Sequence, residues 1–398
     1  MLATKSIDII DDKKAKDAIL QDNWEWDEFD DSAIKSIIAI CTILLILFSS
    51  GVIYIAWNNW WNDEAIGPGT FLTSRQQNYE NLVGFSDLDT NLNGFGVTVC
   101  IVDSGVDLTH PDLRHQNLVG WKDFVNSRTE IYDDHGHGTS MAGIMVAKGG
   151  LNGLASNVNL LVAKALSKDG SGSDESVSNA IDWCNTNNAD VISLSLGGAP
   201  GVFPSFLGGD AVESSTSEAI SEGIYVVAAA GNDGEEENDE DVDSPCSVEN
   251  VICVGGVGIE GEIWSGSSKG SNDFQLIPPK LSRQDPDKKP ELVAPAESVP
   301  ILISTNSGAN EPSSATYGTA SGTSAATVYV SSAIALMLQS NPNLTRNGNS
   351  GGTTEAVENV KQWIKDSCKP ENNSEEHDDY YGYGLLQVQT LINRSISA

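Results

Sequence analysis

The stretch YGTASGTSAATVYVSSAIALML, Tyr317 to Leu338, decides how this chain is read. It opens on small residues, Ser321-Gly322-Thr323-Ser324, and continues as an apolar run with Ala, Val, Ile, Leu and Met at helical spacing. A small-residue turn opening a helix puts the Ser324 side chain at the helix N-terminus. There, unpaired backbone N–H groups and the positive end of the dipole can stabilise an oxyanion. A serine capping an ordinary buried helix accounts for the stretch equally well, so the rest of the chain has to decide.

Upstream, from Val97, apolar β-rich runs alternate with helical patterns. VTVCIV (97–102), NLLVAKAL (159–166), DVISLSL (190–196), IYVVAA (224–229) and NVICVGG (250–256) predict strands. HGTSMAGIMVAK (137–148), residues 174–187, 211–222 and 354–366 predict helices. Continuous apolar strands alternating with amphipathic helices predict a mainly parallel sheet covered on both faces. Ligands then belong at the carboxyl ends of its strands.

Three residues stand where such a sheet would present them. Asp103 ends the first strand in IVDSGVD, with Gly105 allowing a sharp turn. His137 opens a helix in HGHGTSMAG, where the dipole disfavours an imidazolium unless an acid balances it. Asn232 follows a strand in AAAGND, and its amide is suited to donate to a developing oxyanion. Each residue alone reads equally well as a turn or capping residue. Together with Ser324 they form a set in the order Asp, His, Ser. Other patterns are weaker. Asp133, Asp134, His135 and His137 suggest a metal cluster, yet no matching ligand motif occurs elsewhere. Gly256-x-Gly258-x-x-Gly261 imitates a dinucleotide fingerprint, but no helix pattern follows it. Asp89-x-Asn91-x-Asn93-Gly94 copies half a calcium loop, with Cys100 where the glutamate should fall, and reads as a turn.

From about Gly94 to Val388 the chain resembles the subtilisin-like serine proteases. VTVCIVDSGVDLTHPDL, HGTSMAG and SGTSAA are similar to the aspartate, histidine and serine motifs of that family. SLSLGG, AAAGN, KPELVAP and YGYGLLQV resemble its substrate-binding, oxyanion, pre-serine and closing segments. The resemblance implies an α/β fold, a subtilisin-like three-layer α/β/α arrangement, and a serine endopeptidase. Asp103 would orient His137, His137 would take the proton of Ser324, and Asn232 would hold the oxyanion. Substrate backbone would lie along Ser195, Leu196 and Gly197 and near Gly170 and Gly172, with Gly231 beside the oxyanion segment. No cofactor is implied for catalysis. Structural calcium is compatible with the family, but its site is not fixed: Asp112 matches a calcium ligand of some members, while the loop KGGLNGLASN is short for that site. Departures are Ser140 where the family usually has histidine, Ala325 where it has methionine, and Val328-Tyr329 in place of proline-histidine. Residues 58–94 are too few for the folding pro-domain of secreted members, so unaided folding or a different maturation is expected. Asp233, with the acidic run 233–243 behind it, points to a preference for basic or otherwise non-acidic peptides.

The N-terminal part differs in kind. Residues 1–33 read as an acidic cytoplasmic tail, 34–57 as a transmembrane signal-anchor helix, 58–94 as a polar linker and 95–392 as the peptidase domain. SIIAICTILLILFSSGVIYIAW, Ser36 to Trp57, carries no charge and at about 1.5 Å per residue is long enough to cross a bilayer. Trp57, Trp60 and Trp61 stand where an interfacial aromatic belt would be. Lys35 and the upstream lysines outnumber Arg75 downstream, which orients the N-terminus to the cytoplasm and the bulk of the chain outside. With 22 basic against 56 acidic residues and a net charge of −34, the surface repels nucleic acid. Polypeptide substrates, a membrane contact through the helix and a monomer are expected. Six cysteines show no metal-ligand spacing, and Cys246 and Cys253 are equally compatible with a disulfide and with free thiols. The rival reading is an inactive member of the fold that binds peptides without cleaving them.

Overall fold

Val99 to Asp103, Leu160 to Lys164, Val191 to Leu194 and Tyr225 to Ala229 are buried at every position, so water reaches neither face of these strands. That is why their sequences are unbroken apolar runs rather than alternating ones. The computed structural model describes residues 31–61, 67–197, 210–236, 241–274, 281–305, 315–374 and 376–397. They fall into two units, 1–64 and 65–398.

In the first unit, helix α1 (Asp31–Trp61) contains one segment, Lys35–Val52, long and apolar enough to cross a membrane, with mean hydropathy 2.1. From Ile37 to Val52 the described large apolar side chains are exposed in the isolated chain. The tail expected over 1–33 lies outside the described residues up to residue 30.

In the second unit, the elements after helix α2 (Thr70–Val83) run β1 (Thr98–Asp103), β2 (Leu118–Asp123), α3 (His137–Val146), β3 (Asn159–Lys164), α4 (Asp174–Thr186), β4 (Val191–Leu194), α5 (Ala211–Ser221), β5 (Tyr225–Ala229), β6 (Ile252–Val257), β7 (Leu292–Pro295), β8 (Val299–Leu302), β9 (Tyr317–Ala320), α6 (Thr323–Ser340), α7 (Thr354–Ser367) and α8 (Val388–Ser397). Seven strands pair in parallel in the order β2-β3-β1-β4-β5-β6-β7; β8 and β9 form an antiparallel pair. Helix α6 is buried at every position from Thr323 to Leu338 and underlies β4 to β7. Its small and apolar residues on every side fit a helix enclosed by the rest of the unit. Helix α3 packs on α6, while α4 packs on α5, so that both faces of the sheet are covered.

The strand order sets the place of the site. From β1 the chain runs to the edge strand β2, returns through β3 between them, and then crosses β1 to β4 on its other side. The connections therefore diverge at the carboxyl ends of β1 and β4, leaving a crevice between them.

The predicted strands and helices are all present, with ends displaced by one or two residues. Strands β2 and β7 were not legible. β2 is an edge strand largely open to solvent, and β7 is four residues long and ends on Pro295. The expected linker 58–94 needs correction, because it contains α2. Only a narrow stripe of α2, with Tyr79 and Val83 at its centre, is buried, so the sequence reads as polar. Arg75 donates to the carbonyls of Ser298 (2.7 Å) and Glu297 (3.0 Å), and the Tyr79 hydroxyl donates to the Glu297 carbonyl. The compact unit thus begins at Ala65 rather than 95. The Asp89 segment is a turn, in which the Asn91 N–H donates to the Asp89 side chain at 2.9 Å. The Gly256 pattern leads into a turn, not a helix.

Two disulfides cross-link the unit, Cys100–Cys184 between β1 and α4 and Cys246–Cys253. Closing an 84-residue separation contributes on the order of 4 kcal/mol in the chain-entropy view.

Helix α2 also carries a titratable group. Burial pushes the Glu80 carboxyl up to about 7 from an ordinary 4.5, against an opposing hydrogen bond from Gln76. Folded protein therefore holds this proton where unfolded chain releases it. The stability it contributes is present below about pH 4.5 and is lost as pH rises through 7. Chemical denaturation at pH 5 and pH 7.5 should show a smaller loss of stability over that interval in Glu80→Gln than in wild type. Equal losses would contradict this assignment.

Candidate active site

Asp103 ends β1 with its carboxylate fully buried. A buried carboxylate must find donors or lose its charge. It accepts from its neighbour, the Ser104 N–H, at 2.7 Å, and contacts His137 Nδ1 at 2.8 and 2.9 Å through its two oxygens. The His137 side chain is 28% exposed and faces the crevice.

Two glycines allow this approach. A Cβ at Gly105, whose φ is +119°, would fall 2.1 Å from the Tyr132 carbonyl oxygen, and one at Gly138 would fall 2.2 Å from the Gly105 carbonyl oxygen. The turn after β1 and the first turn of α3 could not otherwise close on each other.

The N-terminus of α3 is held by Asp133, a residue the sequence reading placed only in a weak metal cluster. Its Oδ1 accepts from Ser104 Oγ (2.9 Å), the His135 N–H (3.1 Å) and the Gly136 N–H (2.7 Å). Its Oδ2 accepts from the N–H (2.8 Å) and hydroxyl (2.6 Å) of Thr139. An aspartate four residues ahead of a helical histidine, with Thr139 two residues behind it, was the signal available for this cap. Lys164 was also missed. It is fully buried at the end of β3 and donates to the Ser104 carbonyl (2.6 Å), Asp134 (2.6 Å) and the Leu166 carbonyl (2.9 Å). A lone lysine in the apolar run NLLVAKAL was its signature.

Burial disfavours the His137 imidazolium, but the charge and hydrogen bond of Asp103, with the charge of Asp133, outweigh it. The ring titrates above the ordinary 6.5.

Ser324 stands in the first turn of α6. Its hydroxyl donates to the Ser195 carbonyl at 3.2 Å, and the Ser195 hydroxyl donates back to the Ser324 carbonyl at 3.1 Å. Asn232 follows β5 and is exposed to the cleft. Its Oδ1 accepts from the Thr323 N–H at 2.9 Å and lies 3.0 Å from the Thr323 hydroxyl. With the oxygen so engaged, the amide is assigned with its NH₂ turned away from Thr323.

A cleft of about 810 Å³ is lined by His137, Ser324, Asn232, Gly231, Ser195, Leu196, Gly197, Gly170 and Gly172. All of these sequence-derived candidates meet there. Asp103 lies beneath it, behind His137. His135 lines it too, against Gly170.

Among the described residues, no group of three or more His, Cys, Asp or Glu is arranged to hold a metal ion. Asp112, the calcium-ligand match, is surrounded by donors. Its Oδ1 accepts from the Gly150 N–H (2.9 Å) and the Tyr317 hydroxyl (3.0 Å), and its Oδ2 from the Leu151 N–H (2.9 Å). A cation there would face hydrogens rather than lone pairs, so these residues do not fit calcium.

The departures from the family pattern have local partners. The Ser140 hydroxyl lies 2.8 Å from the Leu302 carbonyl and 3.1 Å from the Gly136 carbonyl, joining α3 to β8. Tyr329 is buried edge-on against Tyr79 and Phe85, with ring centroids 6.5 and 6.0 Å away.

Fold and cleft together define a subtilisin-like α/β protein. Residues 94–384 match the Subtilase family. Subtilisin E of Bacillus subtilis (strain 168) is 33% identical over 300 residues, covering 74% of this chain and 65% of that protein. The serine protease AprX of the same organism is 32% identical over 321 residues, covering 76% and 67%. A crystal structure of a cold adapted subtilisin-like serine proteinase is similar with a TM-score of 0.56 at 27% identity, covering 75% of this chain and 91% of that one. The chain belongs to the subtilase family. It spans about 65% of the length of subtilisin E.

The His137 environment can be tested directly. Its imidazole, followed by NMR, should titrate above 6.5, and Asp133→Asn should move the midpoint down. A wild-type midpoint at or below 6.5 would contradict the balance of burial and charge described here.

Proposed function

We propose that the chain is a serine endopeptidase, anchored in a membrane by α1, that cleaves polypeptides through an acyl-enzyme. The observation that carries this reading is the buried Asp103 hydrogen-bonded to His137 at a cleft that Ser324 and Asn232 also line. Asp103 holds His137 in the tautomer protonated at Nδ1, leaving Nε2 to take the Ser324 proton. The hydroxyl oxygen then attacks the scissile carbonyl, and His137 returns the proton to the leaving amine. Freed of that proton, the Ser324 oxygen no longer donates to Ser195. Hydrogen bonds in a site without substrate are often misaligned in this way. The Asn232 amide and the Ser324 N–H receive the oxyanion. Loss of such an amide donor in subtilisin lowers kcat by roughly 10²–10³, the magnitude taken over for Asn232→Ala.

The test is a serine-directed fluorophosphonate. It should label the folded wild type and leave Ser324→Ala unlabelled. No labelling of folded wild type would favour a peptide-binding role without cleavage.

The N-terminus lies in the cytoplasm and the peptidase domain outside. The apolar length of α1, the lysine bias and the Cys100–Cys184 bridge, which suits an oxidising compartment, support this orientation. The full chain should stay with membranes after alkaline carbonate extraction, and a chain beginning at Ala65 should be released. Recovery of the full chain in the soluble fraction would overturn the anchor.

A further inference from the structure

The cleft beside Ser324 has two backbone walls, Ser195-Leu196-Gly197 and Gly231-Asn232, and Asp243 stands between them. The Asp243 N–H donates to the Ala230 carbonyl at 2.8 Å, which seats the residue beside the end of β5. Its Oδ2 fills the space next to both glycines. A Cβ at Gly197 would fall 2.5 Å from it, and one at Gly231 would fall 2.9 Å from it. Any other residue at either position would displace the carboxylate. The segment is fixed from behind, since the Ser244 hydroxyl donates to Glu213 at 3.2 Å and Cys246 is bridged to Cys253 on β6. Asp169, Asp174, Asp210 and Asp233 also line the cleft, and no lysine or arginine is among its described lining residues.

We propose that Asp243 makes this cleft select lysine or arginine immediately before the scissile bond, an inference that rests on the peptidase reading above. The residue whose carbonyl is attacked lies between Ser324 and Asn232. Gly231 adjoins Asn232, so the side chain of that residue enters between the Gly197 and Gly231 walls. A long cationic side chain suits the space. Its apolar stem lies along peptide backbone, and its charged end reaches a carboxylate held in place before substrate arrives. An acidic side chain meets like charge, a penalty that excludes wrong partners. The remaining aspartates add a field that draws basic peptides to the cleft.

The full-length protein is assayed on peptides identical except for Arg, citrulline, Leu or Glu before the cleaved bond, alongside fluorophosphonate labelling. Citrulline keeps the shape of arginine and removes its charge. Arg should exceed citrulline in kcat/KM by at least about 10-fold, the lower end of what a hydrogen bond to a charged group contributes, and Glu should be cut least. Asp243→Asn should bring the Arg-to-citrulline ratio toward one, and Asp233→Asn should lower it less. If Asp243→Asn does not fold, the wild-type ratio and its fall with added salt decide. A labelled enzyme that cuts citrulline or Leu peptides as well as Arg overturns this inference and leaves the peptidase reading standing. Absence of labelling overturns both.

Discussion

The structure turns on a carboxylate that cannot reach water. Asp103 is buried at the end of β1, where the Ser104 N–H and the His137 ring meet its carboxylate. That meeting requires the turn after β1 and the start of α3 to touch backbone to backbone, which Gly105 and Gly138 permit. Asp133 then ties the turn to the helix from below by bonding Ser104, His135, Gly136 and Thr139 at once. Histidine and aspartate are thereby held by the sheet and the helix, not by a loose loop. Rigid placement of this kind lets a hydrogen bond be made before substrate arrives.

The N-terminal helix of the folded unit is coupled to the same place by a short physical path. Arg75 and Tyr79 on α2 bond the carbonyls of Glu297 and Ser298. The Ser298 N–H donates at 2.8 Å to the hydroxyl of Ser321, three residues before Ser324. Tyr79 and Phe85 also pack on Tyr329, in the second turn of α6. The unusual Val328-Tyr329 pair and the unexpected helix therefore explain each other. A large aromatic in that turn of α6 needs a cover, and the segment read as linker supplies it. A Leu or Ala at Tyr79 would take away both the cover and the hydroxyl.

Much of the architecture was legible because burial writes itself into composition. Strands covered on both faces must be apolar throughout, and helices lying on them must be amphipathic, so β1, β3, β4, β5 and β6 and the helices between them stood out. The candidate site residues stood out because an acid, a base, an amide and a hydroxyl fell at strand ends and helix starts, and the structure brings His137, Asn232 and Ser324 to one cleft with Asp103 behind His137. What escaped notice did so for physical reasons. β2 is an edge strand with a wet face. α2 buries only a thin stripe. Lys164 and Asp133 act through partners far away in sequence, and a pairing of that kind leaves no local period. The same holds for Cys100 and Cys184, which lie 84 residues apart and meet only once α4 packs on β1.

The sequence by itself determined the parallel α/β class, the set Asp103, His137, Asn232 and Ser324, and an apolar N-terminal segment of membrane-spanning length. These follow from local rules of spacing, propensity and motif. Only the tertiary structure decided that Asp112 is surrounded by donors instead of acceptors, that residues 70–83 belong to the folded unit, and that Asp243 stands between Gly197 and Gly231. Each of these depends on which distant atoms share a few ångströms of space, and only the packed chain specifies that.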